Sequence, residues 1–71
     1  MLSEHQRKER TERLANLLEA SATYRDKLIY RTKYGLDDGI LRSFGEVGKM
    51  FNLTDEAVRL IIRKIDKLIG Y

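Results

Sequence analysis

The side chains best placed to do chemistry stand in the last third of the chain, where Glu56, Arg59, Arg63 and Lys67 recur at intervals of three or four with Leu60 among them. At about 100° per residue, that spacing gathers a carboxylate, two guanidinium forks and an ammonium on one side of a helix. Such a face suits a polyanion better than bond-making. Acid–base catalysis needs carboxylates or a histidine gathered in a pocket, yet the acids here are spread along helix surfaces and the one histidine, His5, lies far off in a polar arm. Gly35, Gly39, Gly45 and Gly48 fit neither nucleotide-binding fingerprint, and His5 has no second ligand at metal spacing. No catalytic residue, metal or cofactor is expected, and the chain is not read as an enzyme.

Two short amphipathic patterns position those residues. Thr54 is an N-cap candidate, its hydroxyl able to accept from an unpaired first-turn amide, and Asp55 and Glu56 follow where the helix dipole favours negative charge. A helix is therefore predicted from Asp55. Val58, Ile61, Ile62, Ile65, Leu68 and Ile69 form its buried stripe, while Glu56, Arg59, Leu60, Arg63 and Lys67, with Lys64 at the edge, face outward. Gly70 stands where a left-handed cap ends such a helix. Upstream, Ser43 and Glu46 match a capping box, with Phe44, Val47 and Phe51 apolar at helical spacing. Gly48 costs a helix interior about 1 kcal/mol against alanine, so it reads as a point where two helices come close. The tight connector Asn52-Leu53-Thr54 makes the whole a helix-turn-helix, with double-stranded DNA the first partner to test.

The remainder of the chain sets bounds. Seventy-one residues allow one small domain, which buries only about 60% of its unfolded surface. Proline is absent and strand alternation is nowhere sustained, so the fold class is all-α: a small four-helix domain with a C-terminal helix-turn-helix. The lack of cysteine excludes disulfide staples and fits a reducing compartment, with cytoplasm the default. No apolar run approaches a membrane span, and no membrane partner is expected. A net charge of +3 is compatible with polyanions without being diagnostic. Residues 1–13 read as a polar arm or helix extension, since Ser3 to Arg13 holds no apolar residue; residues 14–71 read as the folded domain. Within the arm, Ser3 and Gln6 are a cap candidate, and Leu14, Leu17 and Leu18 are the expected packed part of a first helix. A second helix is predicted from a Thr23 and Asp26 cap to Tyr34, ended by Gly35, with Tyr24, Tyr30 and Tyr34 packing at the core's edge and Ile40 and Leu41 anchoring the following loop.

Thr23 to Leu36 (TYRDKLIYRTKYGL), the spacer Asp37 to Arg42, and Ser43 to Ile61 (SFGEVGKMFNLTDEAVRLI) resemble the fourth conserved region of primary bacterial sigma factors, the domain that reads the upstream promoter hexamer. The likeness covers about two thirds of the chain without a gap. Its landmarks are Arg25 with Asp26, Arg31, Tyr34-Gly35-Leu36, Glu46-Val47-Gly48-Lys49, Phe51, Thr54, Glu56 and Arg59. The resemblance implies that the last helix enters the major groove, that the start of the supporting helix meets phosphates, and that another surface docks on the β flap of RNA polymerase. Glu56 and Arg59 keep the base-reading types: a carboxylate accepts from cytosine, and an arginine donates twice to guanine. Ser43 and Lys49 are placed for phosphate. The DNA-binding set expected is Ser43, Lys49, Thr54, Glu56, Arg59, Leu60, Arg63 and Lys67.

The chain departs from the family at Asp55 and Ala57, where arginines are usual, at Leu60, where a base-contacting glutamine is usual, and at Ile62. The lost cations weaken phosphate attraction, while leucine can still meet a thymine methyl. A second reading follows: a sigma-like protein-interaction module that binds RNA polymerase, as co-activator, inhibitor or one part of a split factor beside a second sigma-like subunit, with little or no DNA reading. The blandest reading makes Arg59, Arg63 and Lys67 a merely solvated face.

Overall fold

A computed structural model describes residues 2–71 and contains four helices: α1 (Glu4–Ala15), α2 (Tyr24–Tyr34), α3 (Phe44–Phe51) and α4 (Asp55–Leu68). Each start is fixed by a hydroxyl that accepts a hydrogen bond from the amide three residues on: Ser3 from Gln6, Thr23 from Asp26, Ser43 from Glu46 and Thr54 from Ala57. At Ser3 and Ser43 the third residue's side chain answers by accepting from the cap amide, which completes a capping box. Thr23 lacks that reciprocal bond because the Asp26 carboxylate is spent elsewhere, on Lys64 of α4 at 2.9 Å. The ends are equally local. Gly35 takes φ 61° after α2, and Gly70 takes φ 92° after α4, where the Tyr71 amide donates back to the Asp66 carbonyl.

Helices α2, α3 and α4 make the body of the domain. Ile29 and Tyr30 of α2, Val47 of α3, and Val58 and Ile65 of α4 are fully enclosed, with Ile62, Ile69, Leu36, Ala22 and Leu14 completing the core. Truncating Ile29 or Ile65 to alanine removes methylenes from that centre, a change that costs about 2–5 kcal/mol. Tyr30, expected at the rim, is instead the largest fully buried side chain. It occupies the centre because its hydroxyl finds hydrogen-bond partners there, one from α1 and one from α4.

Four apolar side chains expected in the core lie outside it. Leu18 is 74% exposed because α1 stops at Ala15 and the chain turns before reaching it. Leu68 is 45% exposed at the edge of the stripe although Ile69 beside it is buried, and Ile40 and Leu41 are exposed too. The loop carrying the latter pair is held by polar links instead: Arg42 bonds the Asp38 carboxylate and the Thr32 carbonyl.

The polar arm is also more than a solvated extension. Helix α1 reaches back to Glu4, and the guanidinium of Arg10 docks between α2 and α4. It stacks 4.5 Å from the Tyr34 ring centre and 4.2 Å from that of Tyr71, donates to the Tyr30 hydroxyl at 2.7 Å, and approaches Asp66 of α4 at 3.3 Å. Asp66 also accepts from the Tyr30 and Tyr34 hydroxyls, at 2.6 and 3.1 Å. Burial, and then the bond to Asp66, hold the Tyr30 phenol far above its ordinary pKa. Arg13 adds a bond to the Ile69 carbonyl at 2.9 Å, capping the end of α4, and Glu9 meets the Tyr71 hydroxyl.

Candidate nucleic-acid interface

Helices α3 and α4 are joined through a tight turn whose geometry depends on two residues. Asn52 adopts the left-handed conformation at φ 57°, and the Leu53 amide donates to the Gly48 carbonyl at 2.8 Å. A Cβ at Gly48 would stand 2.5 Å from the Leu53 carbonyl oxygen, so only glycine admits the connector this close to α3. Thr54 then starts α4, and Val58, Ile62 and Ile65 seat it against α2 and α3.

With one side of α4 buried, Glu56, Arg59, Leu60, Arg63, Lys64 and Lys67 are all exposed on the other. Arg63 and Lys67 make no ion pair among the described residues, whereas Arg59 is held by Glu56 one turn earlier. Lys64, at the edge of this face, is paired with Asp26 of α2. The free basic column is thus Arg63 and Lys67, with Arg59 and Glu56 presented as a mutually oriented pair. Leu60 stands amid these charges, 53% exposed.

The remaining expected residues are exposed as well. Ser43 is the cap of α3 and Lys49 lies near that helix's end, with no ion pair among the described residues. Both cap hydroxyls, Ser43 and Thr54, use an oxygen lone pair on a helix amide, which leaves their own protons available to an outside acceptor. The Ser43 amide holds the Glu46 carboxylate below its ordinary pKa, so that side chain stays charged at the mouth of α3.

Four further residues border this face without having been anticipated. A surface cleft of about 480 Å³ runs along the flank of α4, lined by Arg59, Arg63 and Lys67 on one side and by Tyr34, Phe44 and Tyr71 on the other. Lys33 lies 5.0 Å from the ring centres of both Tyr34 and Phe44, and its partial burial lowers its pKa. Asp66 also lines the cleft, and Arg10 stacks on the Tyr71 ring that borders it. Only Asp66 left a trace in the sequence, as an acid beside the isoleucine stripe one turn after Ile62; Arg10, Lys33 and Tyr71 look like ordinary surface residues until the helices are assembled.

Known proteins match parts of this chain. It is 40% identical over 53 residues to RNA polymerase sigma factor SigA of Microcystis aeruginosa, a span covering 75% of this chain and 12% of that protein. Against SigA of Clostridium acetobutylicum the identity is 48% over 42 residues, 59% of this chain and 11% of the relative. Against SigA of a Bacillus species it is 42% over 53 residues, 75% of this chain and 14% of the relative. The chain therefore spans only a small part of the length of these proteins. No protein-family model and no solved structure matches it. The matched segments and the four-helix, strand-free architecture among the described residues agree on a sigma region four-like domain.

Proposed function

We propose that this sigma region four-like domain is a transcription module that contacts promoter DNA through α4 and RNA polymerase through another surface. The observation that carries the reading is the outward face of α4, where Arg63 and Lys67 make no ion pair among the described residues and stand beside the Glu56–Arg59 pair, directly after a helix-turn-helix connector. In a major groove, Arg59 would donate to guanine and Glu56 would accept from cytosine, each held in place by the other. Arg63, Lys67, Lys49 and the Ser43 and Thr54 hydroxyls would meet phosphates, which fix register without reading sequence. The sigma factors to which the chain is similar are named for RNA polymerase, and the β flap is the polymerase element to test. No enzymatic role is part of this reading, and no helix among the described residues is long and apolar enough to cross a membrane.

A second reading is favoured by one feature, the acidic first turn of α4. Asp55 and Glu56 face the end of the helix that would approach phosphate, and Ala57 adds no cation. On that view the domain binds polymerase, or a second sigma-like subunit, with little DNA reading. Amide chemical-shift titrations separate the two. Duplex DNA should perturb α4 and the start of α3, with affinity that falls steeply as salt rises. Shifts from a β-flap fragment alone, with none from DNA, would overturn the DNA assignment and leave the polymerase contact standing.

A further inference from the structure

Resting on the DNA-contact reading above, we propose that Leu60 reads the 5-methyl group of thymine, which makes this domain a reader of thymine-bearing sites. Leu60 is 53% exposed at the middle of the outward face of α4. Around it, Glu56 and Arg59 pair with one another, Lys64 is tied to Asp26 on α2 at 2.9 Å, and Arg63, one turn later, makes no ion pair among the described residues. Ala57, one turn earlier, contributes only a methyl group. Leu60 and Ala57 are therefore a small apolar spot within a charged face.

The edges of base pairs in the major groove offer mostly hydrogen-bond donors and acceptors, and the thymine methyl is their apolar feature. A leucine pressed on a cytosine or adenine amino group would strip its water and return no hydrogen bond, which leaves a desolvated polar group uncompensated. Against a thymine methyl, the same leucine buries apolar surface on both partners. The leucine thus selects by a favourable contact with one base and by a penalty against the others.

Selection from random sequence tests this without a defined binding site. A pool of randomised DNA duplexes is selected on the intact chain, and binding of the enriched duplex is compared with the same duplex carrying uracil for thymine, which removes only the methyl group. Loss of one methyl contact should weaken binding about fourfold at the decisive position. In Leu60→Ala the thymine and uracil duplexes should bind alike; because Leu60 is exposed, this variant should fold as the parent does. Equal binding of both duplexes by the parent chain, or an unchanged thymine-to-uracil ratio in Leu60→Ala, would overturn the assignment while leaving DNA contact intact. Enrichment of no sequence, with no duplex bound at low salt, would overturn both.

Discussion

Replacing Arg10 by methionine keeps the aliphatic reach of the side chain between the Tyr34 and Tyr71 rings but removes the charge that joins α1 to α2 and α4. Hydrogen bonds to charged groups contribute about 1.5–3 kcal/mol, and stacking of a partly desolvated guanidinium on aromatic rings about 1–2 kcal/mol. Two effects work the other way. Arg10 Nε is buried without a partner, so its removal recovers about 1 kcal/mol. Asp66 retains the Tyr30 and Tyr34 hydroxyls and some water, so it is not left as an isolated buried charge. The net expectation for Arg10→Met is a loss of about 2–3 kcal/mol, which lowers the melting temperature of a domain this small by about 10–20 °C. Thermal and urea unfolding followed by circular dichroism measure it directly. Combining the change with Asp66→Asn in a double-mutant cycle should give a coupling of about 1 kcal/mol or more. An Arg10→Met chain as stable as the parent, or more so, would show that the cost of burying the ion pair cancels its attraction, and that apolar packing alone holds α1.

Gly48→Ala should destabilise the domain by about 1–3 kcal/mol, because the added Cβ meets a backbone carbonyl that cannot step aside; urea unfolding reads the change, and a neutral result would mean the connector relaxes freely. Ser43→Ala removes the hydroxyl of a reciprocal capping box and should cost about 1 kcal/mol, with amide exchange rising first at the start of α3. Arg63→Ala and Lys67→Ala, both exposed and in no ion pair among the described residues, should leave the melting temperature within about 2 °C of the parent while each lowers the salt dependence of DNA binding by about 0.9 in log–log slope. An unchanged slope would remove that residue from the phosphate-contacting set. Because the Tyr30 pKa is raised on folding, its contribution is fully present below its ordinary value of 10.0 and is lost progressively at higher pH, where the unfolded phenol ionises and the folded one does not; melting temperature should fall from about pH 10 upward, less so in Tyr30→Phe.

Where each helix begins, and where α2 and α4 end, could be read straight from the chain because those signals are local; the end of α1 at Ala15, short of Leu17 and Leu18, could not. A hydroxyl at Ser3, Thr23, Ser43 or Thr54 reaches the amide three residues on whatever the rest of the chain does, and Gly35 and Gly70 accept a backbone conformation that side chains resist. The need for a small residue at Gly48, the inward isoleucines of α4 and its outward Glu56, Arg59, Leu60, Arg63 and Lys67 were legible for the same reason, since 3.6-residue periodicity sorts side chains before any neighbour arrives.

Assembly of the helices settled what happens when a side chain's partner lies many residues away. Tyr30 became central rather than peripheral because Arg10 and Asp66, one from each end of the chain, converge on its hydroxyl. Lys64, read as the edge of the outward face, is tied to α2 because Asp26 reaches it, while Leu18, Ile40, Leu41 and Leu68 stay exposed. Periodicity specifies which side of a helix turns inward, but the extent of that inward side, and the polar groups that can be buried there, depend on the partners that packing brings into contact.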